Sequence, residues 1–333
     1  MIDHIFREYD GADIPGASVI VIKDGKVLFQ KAYGLANLEE KTPSTVRTNY
    51  RLASLTKQFT AMGVMILAGR RRLSLTNSLS DFFPDFPAYG KHINLRHLLT
   101  HTSGLIAYED LIPIGTPVPL KDRDVLLLLE GQDHTLFTPG TRFRYSNSGY
   151  ALLALIIEAV SGISFAEFLK RNIFDPLGMS GTVAYEKGIS TVRHRAYGYT
   201  RRGKLFERTD QSLTSSVLGD GGIYSSVEDL YKWDQALYST RLVSARTLTA
   251  VFTPGVATSE AGTGYGYGWF IGQRKNWRTV WHYGETIGFS TAIERIPEQR
   301  LSVIVLVNRS EANPTEIARE ITDLYLLPNG SQR

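Results

Sequence analysis

The sequence predicts an α+β fold, an α/β sandwich in which a five-stranded antiparallel sheet is flanked by N- and C-terminal helices and carries a mostly helical inserted domain. Two observations lead to this class. Strand-like runs lie near the two ends of the chain, whereas the middle has helical periodicity. A helical insertion between two halves of one sheet is the simplest arrangement of that order. We expect a sheet domain from residues 1–60 and 225–333 and a mostly helical domain from 61–224.

The first two strands are predicted as a hairpin. The stretch "ASVIVIKDGKVLFQKAYG" at 17–34 has two β-rich runs on either side of Asp24-Gly25. This pair favours a tight turn because both central residues must accept positive φ. A short amphipathic stretch at 2–9 precedes the hairpin and predicts the N-terminal helix.

Three more strand-like runs lie near the other end of the chain, at 278–284, 288–297 and 301–308. The run "PTEIAREITDLYLL" then predicts the C-terminal helix, with a proline at its first turn. Its expected apolar face consists of Ile317, Ile321, Leu324 and Tyr325. Five strands, two from the start and three from the end, make up the predicted sheet.

Composition excludes several classes of function. The 37 Lys and Arg are spread along the chain and nearly balanced by 33 Asp and Glu, and the dense run at 70–72 is more simply a solvated helix end, so we expect no nucleic-acid partner. The absence of cysteine excludes disulfides, a thiolate nucleophile and zinc held by sulfur. No segment reaches the roughly 18 uninterrupted apolar residues of a membrane span. With no signal-like apolar core at the N-terminus, a full-length chain would be cytoplasmic.

A serine and a lysine three residues apart mark the first candidate for catalysis. Apolar residues recur at helical spacing after Ser54, at Leu55, Phe59, Met62 and Ile66. Ser54 then starts a helix, and Lys57 lies one turn along on the same face. The helix dipole and burial both lower a lysine pKa, and a neutral lysine can accept the proton of a serine. The alternative is that Ser54 is an N-cap and Lys57 a surface residue.

Two later stretches carry further candidates. Tyr145 and Asn147 lie on a short loop before a long apolar helix, where a phenol can relay a proton and an amide can hold a carbonyl. An aromatic core residue beside an Asn turn is the alternative. His282 leads into Gly284 on a predicted strand, and a glycine there leaves room for a ligand along the backbone. An ordinary strand with a turn glycine fits as well.

Taken together and in this order, the three elements resemble the serine β-lactamase and penicillin-binding protein superfamily, and specifically its class C-like branch. That branch also contains family VIII esterases and D-aminopeptidases. Similar segments extend over nearly the whole chain: "LLTHTSGL" at 98–105, "FTPGTRFRYSNSGY" at 137–150, "GDGGIYSSVEDLYKW" at 219–233 and "YGYGW" at 265–269. The resemblance implies a β-lactamase/transpeptidase-like fold with its active site in the cleft between the two domains.

The resemblance also implies roles for individual residues. Ser54 is the expected acylated nucleophile, Lys57 its proton acceptor or electrostatic partner, and Tyr145 the proton shuttle. The expected substrate-binding set is Asn147, which orients a carbonyl, the third motif with His282 and Gly284, and Glu285. The backbone N–H groups of Ser54 and Glu285 would form the oxyanion hole.

The third motif departs from the class C β-lactamases. Where those enzymes carry Lys-Thr-Gly, this chain has His282-Tyr283-Gly284, which replaces a permanent cation and a hydroxyl that help to hold the substrate carboxylate. We therefore expect weak affinity for β-lactams. The His-x-Gly form is common among the esterases and D-aminopeptidases of the branch.

We expect no cofactor and no metal. The alternating glycines of "GTGYGYG" at 262–268 lack the dinucleotide-binding spacing. His97 and His101 are four residues apart without a carboxylate companion, which favours a structural role over a metal site. The segment 106–120, rich in apolar residues, is a candidate wall or lid.

The sequence thus predicts a serine hydrolase that acts through an acyl-enzyme on a small-molecule ester, amide or peptide, with at most weak β-lactamase activity. A penicillin-binding-type module that is acylated with little turnover, and an acyltransferase using the same site, are the alternatives.

Overall fold

The structure is a computed structural model that describes residues 1–326. Its strands are β1 (Ala17–Lys23), β2 (Lys26–Tyr33), β3 (Leu35–Asn37), β4 (Thr42–Pro43), β5 (Tyr50–Arg51), β6 (Val183–Ala184), β7 (Tyr199–Arg202), β8 (Leu205–Arg208), β9 (Ile223–Ser225), β10 (Val256–Ala257), β11 (Gly264–Tyr265), β12 (Phe270–Arg274), β13 (Trp277–Thr286), β14 (Phe289–Ile296) and β15 (Leu301–Val307). Its helices are α1 (Ile2–Ile5), α2 (Thr56–Gly69), α3 (Leu95–Leu99), α4 (Asp122–Glu130), α5 (Asn147–Ser161), α6 (Phe165–Leu169), α7 (Asp175–Leu177), α8 (Leu218–Gly221), α9 (Val227–Ala236), α10 (Ala245–Val251) and α11 (Pro314–Leu326). The short 3₁₀ turns Ala53–Leu55 and Tyr108–Leu111 also matter for the site.

The main sheet is antiparallel, with the strand order β10-β11-β12-β13-β14-β15-β1-β2. The predicted fold class is confirmed, and all five predicted strands are present. Three more strands, β10 to β12, extend the sheet beyond β13, so the predicted number of strands was too small. Two of the three have only two residues each and lie in a glycine-rich segment, so they show no period-2 pattern that the sequence could reveal.

Both faces of β1 and β15 are buried, which explains why these two strands are almost continuously apolar. In β1, Val19 and Val21 point to one face, whereas Ile20 and Ile22 point to the other. The hairpin after β1 turns through Asp24-Gly25 as predicted, with φ of 51° and 75°. This alternation fixes the register, because a slip of one residue would exchange the two faces.

The terminal helices cover one face of the sheet. The ring of Phe6 stacks on Tyr33 of β2 with a centroid separation of 4.7 Å, and α11 packs on β14 and β15. The predicted apolar face of α11 is confirmed: Ile321 is fully buried, and Ile317, Leu324 and Tyr325 pack against the same cluster.

The helices between the two halves of the sheet cover the other face. Helix α2 is buried over most of its length and packs against α5, while α9 packs on β1 and β15. The predicted domain boundary at residue 60 falls inside α2, so the division into 1–60 with 225–333 and 61–224 stays a prediction. Residues 327–333, the last seven of the predicted sheet domain, lie outside the described residues.

No single helix within residues 1–326 combines the length and the apolar composition of a membrane span; that test is met only by α5 taken together with Phe165–Leu177 across a bend of 77°.

A buried ion pair joins the sheet to α9. Arg295 of β14 donates through Nε to a carboxylate oxygen of Asp234 at 2.7 Å, and both side chains are 1% exposed. The hydroxyl of Ser302 donates to the same carboxylate oxygen at 2.7 Å. Loss of either charge would leave the other buried without a counter-charge, which costs far more than breaking an exposed pair.

We predict that Asp234→Asn lowers the free energy of unfolding by about 3–5 kcal/mol. The matched control is Glu207→Gln, which removes one charge from the exposed pair with Arg202 and should cost less than about 1 kcal/mol. Urea denaturation of both variants measures the difference. Equal losses would contradict a special role for the buried pair.

Candidate active site

Ser54 lies in the 3₁₀ turn Ala53–Leu55, immediately before α2. The N-cap position of α2 is Leu55, and no side-chain hydrogen bond caps either element. The reading of Ser54 as a helix cap is therefore wrong. Its neighbour Ala53 has φ of 48°, a conformation that non-glycine residues rarely adopt. The Ser54 hydroxyl therefore has no capping role, and it follows directly after a residue with a strained backbone.

Lys57 is fully buried and points back at Ser54. Its Nζ makes three hydrogen bonds: to Ser54 Oγ at 3.0 Å, to Asn147 Oδ1 at 2.8 Å and to the main-chain oxygen of Asp220 at 2.9 Å. Burial lowers the pKa of Lys57 to about 8, against the opposing fields of Asp220 and Glu109. The reading of Lys57 as a surface residue is therefore wrong.

Tyr145 lies beside this pair. The Lys57 ammonium is 5.0 Å from the centroid of the Tyr145 ring. The Tyr145 hydroxyl is buried and makes no hydrogen bond of good geometry within residues 1–326, although Ser54 is close enough to lower its pKa. Burial is the larger effect and keeps that pKa well above its ordinary value. Tyr145 is therefore a neutral phenol in the free protein.

Asn147 is the first residue of α5, held there because the hydroxyl of the preceding serine caps the helix. Its amide oxygen accepts from Lys57, and its Nδ2 donates to Glu109 Oε1 at 2.7 Å. These two partners fix the orientation of the amide, since an ammonium can only donate and a carboxylate can only accept. Asn147 thus connects the lysine with an acidic side chain that the sequence analysis did not single out.

His282 lies on β13, two residues before Gly284, and is neutral. Its Nδ1 must donate to the main-chain oxygen of Tyr283, 2.6 Å away, because a carbonyl cannot donate. Its Nε2 accepts from the hydroxyl of Tyr265 at 3.0 Å. Burial and the nearby charge of Lys57 lower the pKa of His282 to about 3. The histidine therefore offers no positive charge at the position of the third motif.

Gly284 allows β13 to approach the nucleophile turn. A Cβ atom at this position would lie 2.3 Å from the main-chain oxygen of Leu52 and 2.9 Å from the backbone nitrogen of Ser54. Thr291 on the neighbouring strand donates to the same Leu52 oxygen at 2.7 Å. Glu285 follows on β13, past the last residue that pairs with β12, so this end of β13 has an edge to which no strand of residues 1–326 pairs.

Two spaces of very different size adjoin the candidate site, and Glu285 lines both of them. A polar cavity of about 70 Å³ is lined by Ser54, Asn147, Glu109, Asp220 and Glu285, among others. A groove of about 580 Å³ lies on the Tyr145 side, with walls formed by Tyr145, Phe270, Trp281 and Tyr283. The Phe270 ring is nearly parallel to those of Trp281 and Tyr283, at centroid separations of 5.8 and 5.7 Å. The structure thus brings all seven predicted site residues to one region.

The sequence analysis missed the acidic residues of the small cavity. Asp220 is buried and accepts from the Tyr108 hydroxyl at 3.1 Å. Within the candidate lid at 106–120, Tyr108 and Glu109 line the cavity with polar groups, whereas Ile114 and Val118 are exposed. An adjacent pair of acids in this segment and an aspartate among glycines at 219–222 were the only signals available.

His97 and His101 have separate local roles. His97 takes part in a capping box at the start of α3. His101 accepts through Nδ1 from the backbone N–H of Ser146 at 3.1 Å and packs its ring on Tyr145 at 4.2 Å. Neither joins a group of three potential metal ligands, and no such group exists within the described part of the chain.

Comparison with known proteins relates this geometry to a family. A family model described as beta-lactamase matches residues 2–326. Penicillin-binding protein 4* of Bacillus subtilis (strain 168) is 33% identical over 320 residues, which cover 90% of this chain and 70% of that protein. Protein flp of Staphylococcus aureus (strain MRSA252) is 30% identical over 307 residues, covering 89% of this chain. The chain spans only 60% of the length of this second relative.

Solved structures have the same fold. The octameric penicillin-binding protein homologue from Pyrococcus abyssi superposes with a TM-score of 0.86 at 30% identity, covering 97% of this chain and 76% of its own. A D-amino acid amidase from Ochrobactrum anthropi SV3 superposes with a TM-score of 0.80 at 22% identity, covering 97% and 96% of the two chains. At that identity, the second likeness concerns the fold alone.

We predict that Gly284→Ala destabilises the protein by about 1–3 kcal/mol, since the new methyl group meets backbone atoms that have little freedom to move. Gly69→Ala is the matched control, because a Cβ at Gly69 meets nothing within 4 Å; it should be neutral or stabilise by up to about 1 kcal/mol. Chemical denaturation measures both. A neutral Gly284→Ala would disprove the close approach of β13 to the nucleophile turn.

Proposed function

The chain belongs to the beta-lactamase family, and on that premise we propose that it is a serine hydrolase that cleaves small esters or amides through an acyl-enzyme on Ser54. The observation that carries the proposal is the hydrogen bond of 3.0 Å between Lys57 Nζ and Ser54 Oγ, in a site where the lysine is fully buried. A nucleophile within reach of an amine of lowered pKa is the arrangement that serine acylation requires.

The partners of Lys57 determine how a proton leaves Ser54. As an ammonium, Lys57 uses its three protons on Ser54, Asn147 Oδ1 and the Asp220 main-chain oxygen. The last two groups can only accept hydrogen bonds, so they keep two of the protons when the third is lost. The lone pair of the neutral amine then faces Ser54 Oγ, which makes Lys57 the general base for attack on the substrate carbonyl.

Tyr145 acts as the relay to the leaving group. Its pKa is raised, so the phenolate is not the resting state, and a neutral phenol can donate its proton as the tetrahedral intermediate collapses. The phenolate then takes up the proton that Lys57 removed from Ser54, which restores the phenol and the neutral amine. Because Tyr145 lines the large groove, the leaving group lies on that side of the nucleophile.

The oxyanion is assigned to the backbone N–H groups of Ser54 and Glu285. Gly284 supports this assignment, since the absent side chain lets β13 lie against the Ser54 turn. The free edge of β13 lets the substrate run along the strand and hydrogen-bond to its backbone. Asn147 then orients the carbonyl group of the acyl portion.

The surroundings of the third motif support at most weak β-lactamase activity. His282 is neutral and both of its ring nitrogens are engaged within the protein. The rim of the large groove carries Glu260, Glu285 and Glu316, with Arg319 already paired to Glu316 at 2.8 Å. Among the described residues that line the groove, a substrate carboxylate on the leaving-group side therefore meets no unpaired cation.

We predict that an activated short-chain ester leaves a covalent adduct on the protein. The adduct should be absent in Ser54→Ala, because that variant lacks the hydroxyl that is acylated. Intact-mass analysis after brief mixing measures the adduct. A stable adduct without product release would favour the acylated-module alternative, and transfer to an added alcohol would favour the acyltransferase. Turnover that persists in Ser54→Ala would refute the proposal.

We also predict that kcat/KM rises with pH and reaches half its maximum near pH 8. The pKa of Lys57 is lowered to about 8, so the active neutral amine is gained as pH rises through that value. The pKa of His282, about 3, lies outside this window, so His282→Ala should retain the same limb. A limb between pH 5 and 7 that disappears in His282→Ala would overturn this assignment.

A further inference from the structure

The hydroxyl of Tyr145 is not held in place by a hydrogen bond of its own. It is buried and has no partner of good geometry among residues 1–326. The orientation of the phenol therefore depends on the packing of its ring and on the backbone at either side. A proton donor must be placed accurately, because a displacement of about 1 Å can lower a rate about 100-fold. Whatever fixes this ring therefore affects the proton relay.

His101 contacts all three residues of the segment that carries the phenol. Its main-chain oxygen accepts from the backbone N–H of Arg144 at 2.9 Å, and its Nδ1 accepts from that of Ser146 at 3.1 Å. Its ring lies on the Tyr145 ring with a centroid separation of 4.2 Å and a tilt of 32°. Three other rings lie farther from Tyr145, at centroid separations between 6.2 and 6.4 Å: Tyr265, Phe270 and His282.

The backbone of His101 has a conformation that favours glycine. Helix α3 ends in a Schellman motif, in which the N–H of Thr102 donates to the His97 oxygen at 2.8 Å and that of His101 to the Leu98 oxygen at 3.3 Å. His101 occupies the left-handed position of this motif, with φ of 57°, where a side chain costs stability. The end of the helix therefore gives no reason for a histidine, whereas the contacts of its side chain do.

One tautomer of the His101 ring fits these contacts. Burial and the nearby charge of Lys57 hold the pKa of His101 well below its ordinary value, so the ring is neutral. Because Nδ1 accepts from Ser146, the ring proton is on Nε2. This Nε2 is buried and has no partner in the described part of the chain, a cost that a phenyl ring would avoid. A phenyl ring could not accept from Ser146, so the acceptor is what distinguishes histidine here.

We infer that His101 is a positioning residue for Tyr145, which holds the phenol in the orientation from which it protonates the leaving group. It acts through hydrogen bonds to the backbone on both sides of Tyr145 and through the packing of the two rings. The inference rests on the proposed function, because it concerns the proton donor of that mechanism.

A competing explanation is that His101 acts through Asn147 instead. The hydroxyl of Ser146 caps α5, and Asn147 is the first residue of that helix. A disturbance there would reach Lys57 and slow the attack of Ser54 on every substrate. A disturbance of Tyr145 would slow only those reactions whose leaving group needs a proton. The dependence on the leaving group therefore separates the two explanations.

The test uses two esters with the same acyl group, 4-nitrophenyl butyrate and phenyl butyrate. Nitrophenolate leaves with little help from an acid, whereas the more basic phenoxide needs one. In His101→Gly, which suits the left-handed backbone, kcat/KM should fall about 10- to 100-fold for the phenyl ester. For the nitrophenyl ester it should fall less than about threefold. Equal losses with both esters would overturn the inference.

His194→Gly is the matched control. His194 is also a histidine with a left-handed backbone, with φ of 46°, but it is exposed and does not line the groove. The ratio of the two kcat/KM values should stay as in the wild type. If His101→Gly gave the same ratio as His194→Gly, the positioning role would be refuted.

A double variant tests whether His101 acts through the phenol. Tyr145→Phe removes the hydroxyl, so adding His101→Gly to it should lower kcat/KM for phenyl butyrate by less than about twofold more. A second loss as large as that of His101→Gly alone would show that the two residues act independently, which contradicts the inference.

If His101→Gly does not fold, His101→Asn takes its place. Asparagine tolerates the left-handed backbone, and its Oδ1 can accept from Ser146, but the ring is lost. A smaller loss, again selective for phenyl butyrate, is expected, and an unselective loss would overturn the inference. Failure of the proposed function would look different, since neither ester would then give a release of phenol or nitrophenol that is absent in Ser54→Ala.

Discussion

The site is built around the buried amino group of Lys57. An ammonium in the protein interior is tolerated only where each of its protons finds an acceptor. Those acceptors come from separate parts of the chain: Ser54 one turn back, Asn147 at the start of α5 and the main chain of Asp220 in α8. Helix α8 is fixed in turn by the carboxylate of Asp122, which accepts from two of its backbone N–H groups. The helical region therefore acts as the frame that holds one amine.

The sheet adds the second requirement, a strand edge that faces the nucleophile. Leu52 connects the two, because its main-chain oxygen accepts from Thr291 on β14 and lies 2.3 Å from the position of a Cβ at Gly284. The turn that carries Ser54 is thus held against the sheet by a hydrogen bond from β14 and by the lack of a side chain at Gly284 of β13. The nucleophile, the amine and the free strand edge can keep their relative positions only if sheet and helices are packed together, which the two-sided burial of the sheet ensures.

The sequence predicted correctly those features that depend only on residues close together in the chain. The turn at Asp24-Gly25 depends on two φ angles, and the spacing from Ser54 to Lys57 depends on one turn of helix. The acidic cavity depends instead on contacts between distant segments: Lys57 and Asp220 are 163 residues apart. The residues around Asp220 do not predict that its carboxylate is buried. Those around Glu109 do not predict its hydrogen bond with Asn147. Two of the three added strands were missed because they are too short to carry a period.

The two spaces that adjoin the site differ in volume and in the charge of their lining. The cavity on the Asn147 side is small, and its carboxylates form no ion pair with a basic side chain of residues 1–326. On the leaving-group side, the space is about eight times larger, with parallel aromatic rings as its wall and a neutral His282 nearby. A large group fits only in the groove, since the small cavity has a volume of about 70 Å³. Under the proposed mechanism, this difference in volume favours the orientation that places a large leaving group beside Tyr145, the proposed proton donor.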